Sequence, residues 1–395
     1  MSERRTDFIF GIVAFDPRVG CVANCAAHRE GVRRWSTSIR RHTRAASVDV
    51  ALFTGEGRGS IAASAATAHV LRRAEVRTIE GDFRDSPSRV AHSDGNKYMW
   101  CVVRNRWFVV RDYLRAHFHE YRSVLMMDVR DAIVQADPFA WVPRGHLAAG
   151  FDQRRTVVFS GEGSGSVKVL AQSPKGRQRT LECAGEPPLD ERARERLLAT
   201  DPLNAGVTLG GAAAFLNFSA ALADVVSRVT TPRCLAVKDC TDQGLYNVLV
   251  YAQWEQRLPH TRRLIVPMEG GAPSYTLGHK KGRVLVDGDG RLRDDTHHYI
   301  PPVVHQFAKG AAGRALRRTR FAAFLTELLD AGTALAGATA MDSGRLSGGG
   351  EIAVPTASQS LPDSGTLLAC HQCLMADSTA SPALASFCAR RCEVT

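Results

Sequence analysis

Acidic residues follow directly after a short apolar segment in LMMDVRDAIVQADPF, Leu125–Phe139. The segment Ser123–Met127 has the length and composition of a buried strand, and Asp128 and Asp131 come just after it. In an open parallel sheet, ligands bind beyond the carboxyl ends of the strands. Carboxylates at that position can bind a hard divalent cation that also contacts substrate phosphates. The alternative is a loop of solvated charges that ends in a turn at Asp137–Pro138.

Strand-like and helix-like segments alternate on both sides of this motif. The alternation predicts an α/β fold with a mostly parallel central sheet and helices on both faces. Ser219 is a suitable N-cap for one helix, and Asp242 lies in the first turn of another, where a carboxylate suits the helix dipole. We expect strands at Phe8–Phe15, Val48–Thr54, Val76–Ile79, Ser123–Met127, Val157–Ser160, Val167–Leu170 and Asn204–Leu209, and helices at Glu30–Arg44, Ala62–Ala74, Trp100–His119, Asp190–Thr200, Ser219–Val229 and Thr241–Gln256.

The composition changes near residue 331, where Ala, Gly, Ser and Thr begin to dominate. We therefore predict one folded domain at residues 5–330 and a low-complexity, mostly disordered tail at residues 331–395. Four cysteines of this tail could bind zinc or form disulfides, although their spacing and apolar-poor surroundings favour unstructured or oxidisable thiols. They are Cys370, Cys373, Cys388 and Cys392.

Four segments, in the expected order, resemble motifs of GT-A glycosyltransferases. VLMMDVRDAIVQADPF looks like the Asp-x-Asp region, and LNAGVTLG at Leu203–Gly210 resembles the Asn-(Ser/Ala)-Gly-Val strand. TDQGLYN at Thr241–Asn247 resembles the Asp-Gln-Gly-Leu-x-Asn segment, and VVHQFAKG at Val303–Gly310 resembles the late metal-binding loop. The resemblance covers about residues 5–312 and is strongest to the glycogenin-like enzymes of glycosyltransferase family 8. It implies a GT-A (Rossmann-like) sheet.

By this resemblance, the metal ligands are Asp128, Asp131 and His305. The chain departs from the family because Arg130 replaces the second Asp of Asp-x-Asp. Asp131 either takes over the metal contact or orients Asp128 or the donor sugar, and Arg130 could instead be a buried ion-pair partner of Asp131. The late loop has Ala308 where the family has Gly, and it lacks the usual Lys-Pro-Trp ending.

The resemblance also assigns residues to the donor and the reaction centre. It implies that Asp242, Gln243 and Asn204 take part in catalysis, while the alternatives are a helix-capping role for Asp242 and a structural role for Asn204 in a buried strand. Arg106 is expected to meet the diphosphate, with Arg111 as its rival, since a guanidinium suits phosphate. The expected contacts of the nucleotide-sugar are Ala14, Phe15, Arg106, Asp128, Val129, Arg130, Asn204, Ala205, Gly206 and Lys309.

The resemblance predicts the transfer of a hexose from a UDP-sugar, with Mn²⁺ as the expected cation, Mg²⁺ as the alternative, and retention of configuration. A divalent cation would offset the charge that gathers on the departing nucleotide diphosphate. A second hypothesis, motivated by Arg130, is a transferase-like protein that binds a nucleotide-sugar or glycan without catalysis. The acceptor and the oligomeric state are not predicted.

The charge and hydropathy of the chain limit the classes of partner and the cellular locations that we expect. The 395 residues carry 51 Lys and Arg against 40 Asp and Glu, a net charge of +11, but this charge is spread along the chain. Interleaved aromatic residues are missing from its basic stretches, so we expect no nucleic-acid partner and keep polyanion binding as the weakest hypothesis. No stretch of about 18 apolar residues predicts a membrane span. The expected location is cytoplasmic, or the secretory lumen if the gene model lacks an N-terminal anchor.

Overall fold

A computed structural model describes residues 5–13, 25–44, 46–54, 65–81, 95–162, 180–181, 183, 189–230, 242–277, 285–294, 299–307, 316 and 319–330. The chain divides into two compact units, Met1–Asp342 and Ser343–Thr395. The second unit and the whole tail from residue 331 lie outside the described residues, as does the strand expected at Val167–Leu170. The predicted disorder of the tail therefore stays a prediction.

The main sheet has seven strands in the order β3-β2-β1-β4-β7-β6-β8. Neighbouring strands from β3 to β4 run parallel, β7 is antiparallel to both of its neighbours, and β8 is parallel to β6. The strands of this sheet are β1 Thr6–Val13, β2 Val48–Thr54, β3 Val76–Glu80, β4 Tyr121–Met127, β6 Thr156–Gly161, β7 Leu203–Gly211 and β8 Arg262–Val266. The carboxyl ends of β1, β4 and β6 consequently meet at one edge, together with the start of β7.

A smaller sheet has the order β5-β12-β9, in which β12 is antiparallel to β5 and parallel to β9. Its strands are β5 Ala132–Val134, β9 Ser274–Thr276 and β12 Val303–His305. A short antiparallel pair, β10 Leu285–Val286 and β11 Leu292–Arg293, lies between β9 and β12 in the chain. Because only four residues separate the end of β4 from the start of β5, the small sheet extends directly from the acidic motif.

The helices cover both faces of the main sheet, as the sequence predicts. They are α1 Cys25–His42, α2 Ala65–Arg73, α3 Gly95–His117, α4 Glu191–Leu198, α5 Ala212–Thr230, α6 Asp242–Asn247, α7 Trp254–Arg257 and α8 at residues 320–330. A π-helical segment, Val248–Gln253, joins α6 to α7.

Alternate side chains of β1 point to opposite faces of the main sheet and pack in different halves of the core. Phe8 and Phe10 pack in the cluster that includes Trp107 of α3 and Phe218 of α5, whereas Ile9 packs in the cluster that includes Trp35 of α1. Successive side chains of a strand point to opposite faces, so a strand that is apolar on both faces, as β1 is from Phe8 to Val13, needs a helical layer on each side. A third cluster joins the small sheet to α8.

The expected α/β architecture is confirmed, with helix and strand ends shifted by a few residues. The predicted start of one helix, at Ser219, is wrong, because α5 begins at Ala212 and Ser219 lies inside it. The hydroxyl of Ser219 donates to the carbonyl oxygen of Leu216 at 2.9 Å. The helix begins as soon as β7 ends at Gly211, where a side chain would collide with the backbone of Arg154. Packing against the sheet thus overrides the capping preference of Ser219.

The lengths of the described helices and the state of one buried cysteine are two further features of the structure. Among the residues described by the structure, no helix is both long and apolar enough to cross a membrane. Cys183 is fully buried and disulfide-bonded.

Candidate metal centre

Asp128 is held at the carboxyl end of a buried strand. The residues of β4 from Ser123 to Met127 are buried, because β4 lies inside the sheet between β1 and β7 and helices cover both faces of that sheet. The N–H of Asp128 donates to the carbonyl oxygen of Gly206 at 2.7 Å, which continues the pairing with β7 for one more residue. The side chain of Asp128 is 37% exposed and therefore reachable by a ligand.

The small sheet brings His305 to the same place. Its strand β12 pairs with β5 so that His305 lies opposite Ala132, the residue that follows Asp131. The N–H of Gln306 then donates to the carbonyl oxygen of Asp131 at 2.7 Å, and Gln306 has a left-handed φ of 54°. This backbone turn ends β12 and fixes His305 beside the acidic motif.

Asp128, Asp131 and His305 converge on one point. Each of them offers a ligand atom, and these three atoms all lie within 4.8 Å of one another. The Nε2 atom of His305 lies 3.3 Å from Oδ2 of Asp128 and 3.6 Å from Oδ1 of Asp131. Two carboxylates and one imidazole suit a divalent first-row metal such as Mn²⁺. The residues present therefore fit the cation expected from the sequence.

The electrostatics of this group depend on its two carboxylates. Burial lowers the pKa of His305, but hydrogen bonds to Asp128 and Asp131 and their negative charges outweigh it and raise the pKa to about 10. Burial raises the pKa of Asp128, whereas the hydrogen bond with His305 and the charge of Arg106 lower it, and the net direction is down. Without a cation, the protonated imidazole therefore offsets one of the two carboxylate charges. A metal ion must displace that proton when it binds.

Gly206 leaves the space in which these side chains meet. A Cβ at this position would lie 2.6 Å from Oδ2 of Asp128 and 2.6 Å from Nε2 of His305. Carbon atoms do not approach oxygen or nitrogen this closely without displacing them. The glycine expected to permit close backbone approach therefore lies directly under the proposed ligands.

Arg106 connects the metal centre to α6. Its guanidinium lies 3.2 Å from Oδ1 of Asp128 and 2.8 Å from Oδ2 of Asp242, and it also donates to the carbonyl oxygen of Ala205 at 3.0 Å. The Arg106 side chain is 7% exposed. Its rival Arg111 instead pairs with the adjacent Asp112 at 2.7 Å. Of the two arginines, the structure brings Arg106 into the site.

Gln243 is held between two strands by its side-chain amide. Its Nε2 donates to Oε2 of Glu162 at 2.6 Å and to the carbonyl oxygen of Leu203 at 2.9 Å. Glu162 is buried immediately after β6 and belongs to none of the four motifs that resemble the family. An acid directly after an apolar strand was the available signal, the same one that identified Asp128.

Asn204 is fully buried, and its amide is engaged by its neighbours. Its Nδ2 donates to Oγ1 of Thr276 at 2.6 Å, and its Oδ1 accepts from the N–H of Gly206 at 2.8 Å. These bonds tie β7 to β9 and fix the backbone of Gly206. The expected contact of Asn204 with a donor sugar stays a prediction, and the observed bonds agree with the structural alternative.

The other expected donor contacts are distributed around this centre. Val129 is buried, and its side chain lies over Gly11. Arg130 is exposed, which rules it out as a buried partner of Asp131. Ala205 is buried next to Gly206 in β7. Three residues lie outside the described part of the chain: Ala14, Phe15 and Lys309.

Three solved structures of glycosyltransferases are similar to this chain. Mouse xyloside xylosyltransferase 1 in its apo form has a TM-score of 0.41 and 10% sequence identity, and the match covers 76% of this chain and 97% of that chain. An active-site mutant of LgtC has a TM-score of 0.42 and 15% identity, covering 82% of this chain and 96% of that chain. The galactosyltransferase LgtC in complex with donor and acceptor sugar analogs has a TM-score of 0.41 and 15% identity, with coverage of 82% and 96%.

Comparisons based on sequence find no relative. No protein-family model matches the chain, and no curated protein matches it. Identities and TM-scores this low do not assign an activity to the chain.

Proposed function

We propose that the chain is a glycosyltransferase that moves a hexose from a nucleotide-diphosphate sugar, a UDP-sugar by the family resemblance, onto an acceptor. The observation that carries this proposal is the convergence of Asp128, Asp131 and His305 at the carboxyl edge of the central sheet. The residues Asn204 and Asp242, from the two other motifs that resemble the family, lie at the same edge. Four motifs separated along the sequence thus reach the same edge of the sheet, which supports the proposal.

The three converging side chains are the proposed ligands of a divalent cation, with Mn²⁺ favoured by the imidazole and Mg²⁺ as the alternative. When bound, such a cation supplies Lewis-acid stabilisation of the departing diphosphate. Asp131 is the proposed replacement for the missing second Asp of the motif, and the distance of 3.6 Å between its Oδ1 and Nε2 of His305 supports this role. Gly206 leaves room for the ligands, and its own lack of a side chain supports close approach of a donor.

The residues around the cation site have proposed roles toward the donor. Arg106 holds Asp128 and Asp242 in fixed positions through its two ion pairs. Asp242 and Gln243 lie beside the expected position of the donor sugar, where a carboxylate and an amide oxygen can accept hydrogen bonds from hydroxyl groups. The exposed guanidinium of Arg130 and the backbone of Val129 are proposed contacts of the diphosphate. The stereochemistry follows the resemblance, which implies retention.

A thermal-shift panel with nucleotides and nucleotide-sugars, each with and without Mn²⁺, tests the donor class. A ligand that binds only the folded state raises the melting temperature by mass action. We expect a shift with UDP or a UDP-sugar that requires Mn²⁺, followed by slow metal-dependent release of UDP from that sugar. The absence of both would contradict the proposal, and binding without any UDP release would indicate a nucleotide-sugar-binding protein.

The disulfide at Cys183 bears on location. Disulfides persist mainly in oxidising compartments. This observation supports the secretory lumen over the cytoplasm as the compartment that we propose. Alkylation of the unfolded protein before and after reduction, followed by mass spectrometry, tests it, and a thiol at Cys183 that is alkylated without reduction in protein from its natural source would contradict it.

A further inference from the structure

A buried acid, Glu162, contacts Gln243, one of the residues proposed to lie beside the donor sugar. It is 6% exposed and follows β6, at the same sheet edge as Asp128. Its N–H donates to the carbonyl oxygen of Pro202 at 2.7 Å, which fixes its backbone beside the start of β7. Its Oε2 accepts a hydrogen bond from Nε2 of Gln243 at 2.6 Å.

The hydrogen bonds of Gln243 determine which way its amide faces. Both N–H groups of Nε2 are used, one by Glu162 and the other by the carbonyl oxygen of Leu203 at 2.9 Å. A carboxylate and a carbonyl oxygen can only accept, so the amide nitrogen must face them. The amide oxygen Oε1 is therefore turned away from both, and rotation of the amide by half a turn would place oxygen against oxygen.

The backbone of Gln243 is fixed as well. Nδ2 of Asn247 donates to the carbonyl oxygen of Gln243 at 2.7 Å, and Oδ1 of Asn247 accepts from the N–H of Leu203 at 3.0 Å. The preceding residue, Asp242, is held by Arg106, which also holds Asp128. The orientation of the Gln243 amide is thus fixed relative to the metal ligands.

We propose that Glu162 is a positioning residue for glycosyl transfer, whose carboxylate holds the Gln243 amide so that Oε1 faces the donor sugar. This inference rests on the proposed function. Positive charge develops on the sugar ring as a glycosidic bond breaks. An amide oxygen held in place stabilises that charge without reorganisation, whereas an amide with free rotation also presents N–H groups that oppose it. Glu162 acts through Gln243 and needs no contact with the sugar.

The test is a double-mutant cycle on the release of UDP from UDP-glucose and UDP-galactose with Mn²⁺. The variants are Glu162→Gln, Gln243→Ala and the double variant, with Glu255→Gln as the control because Glu255 is 81% exposed. Glu162→Gln keeps the shape of the side chain but can present an N–H to the amide. We expect it to lower kcat by about tenfold to a hundredfold, the cost of a slightly misplaced group, and to change KM by less than about threefold.

The double variant decides between positioning and a merely structural role. If Glu162 acts through Gln243, the double variant has the kcat of Gln243→Ala alone, because the amide that Glu162 orients is already gone. Losses that multiply, or a kcat of Glu162→Gln equal to that of the wild type, would overturn the inference while leaving the transferase activity in place. If the wild type releases no UDP from either sugar, the proposed function fails and the inference fails with it.

Discussion

The Nε2 atom of His305 lies 3.3 Å from Oδ2 of Asp128, although 177 residues separate the two in the sequence. Their contact requires the pairing of β5 with β12, which joins the acidic motif to a strand near the end of the domain. The proposed cation site therefore exists only in the folded chain. Binding of a cation to it must stabilise the fold, since ligand binding to the native state alone shifts the unfolding equilibrium.

Replacing Asp128 by Asn should abolish stabilisation by Mn²⁺. The amide keeps the size of the side chain but removes one of the two negative charges of the site. In the wild type, Mn²⁺ at about one hundred times its dissociation constant should raise the free energy of unfolding by about 2.7 kcal/mol, and the melting temperature measures this gain. Asp137→Asn is the control, because Asp137 caps a short turn and Asn caps equally well. A wild-type Mn²⁺ shift in Asp128→Asn would exclude Asp128 as a ligand.

Gly206→Ala should remove cation binding through size alone. The added Cβ would lie 2.6 Å from Oδ2 of Asp128 and from the imidazole of His305, so both ligands must move. Gly161→Ala is the matched control, since a Cβ there meets its nearest atom at 3.7 Å. Titration with Mn²⁺ by calorimetry should detect binding in Gly161→Ala and at least about tenfold weaker binding in Gly206→Ala, the loss expected when ligands are misplaced. Equal affinities would show that the ligands do not bind where the structure brings them together.

The strand that delivers Asp128 could be predicted because it is a short apolar run followed at once by acids. The family resemblance identified His305. No local sequence pattern could predict its contact with Asp128, because that contact depends on the pairing of two distant strands, β5 and β12. Arg106 was expected at a diphosphate, but its ion pairs with Asp128 and Asp242 depend on how α3 packs against α6. Glu162 was missed because it lies in a Gly- and Ser-rich segment that resembles a loop. Its role depends on the position of Gln243, which the fold alone supplies.

Gly31→Ala should destabilise the protein, although the same change usually stabilises a helix by about 0.5–1 kcal/mol. Gly31 lies in α1 where the helix passes the acidic motif, and a Cβ there would lie 2.8 Å from Cα of Arg130 and 3.0 Å from the carbonyl oxygen of Val129. Backbone atoms cannot move aside cheaply, so we expect a loss of about 1–3 kcal/mol, as for overpacked sites. Urea unfolding measures it, with Arg29→Ala at an exposed position of α1 as the control. A stabilised Gly31→Ala variant would show that the motif is not packed against this helix.

Arg106→Lys should destabilise the protein although it keeps the charge. A lysine has one ammonium group and cannot reach Asp128, Asp242 and the carbonyl oxygen of Ala205 together, as the guanidinium does. Removing one partner of a buried ion pair lowers the free energy of unfolding by about 3–5 kcal/mol. Lys keeps part of the pairing, so we expect a smaller loss for Arg106→Lys than for Arg106→Ala. Urea unfolding of both variants tests this order. Arg111→Lys is the control, and equal stability of Arg106→Ala and the wild type would contradict the bridging role.

His42 should make the stability depend on pH. Burial, and then the positive charges of Arg41 and Arg291, lower the pKa of His42 to about 4, against an ordinary value of 6.5. The unfolded chain therefore binds the proton more readily, so the stabilisation is complete above about pH 6.5 and is lost as the pH falls towards 4. His42 lines a surface cavity together with Arg41 and Arg291. Other titratable or charged groups, including Asp289, Arg320 and Glu327, also line this cavity.

The effect can be isolated by comparing unfolding free energies at pH 7 and pH 5. Because His42 is only half-buried and solvent screens its neighbours, we expect it to account for about 1 kcal/mol of the loss between these values. His42→Gln cannot titrate and should lose that much less stability than the wild type over the same interval. His119→Gln, at an exposed position, should behave like the wild type. A His42→Gln variant with the full wild-type pH dependence would show that another group is responsible.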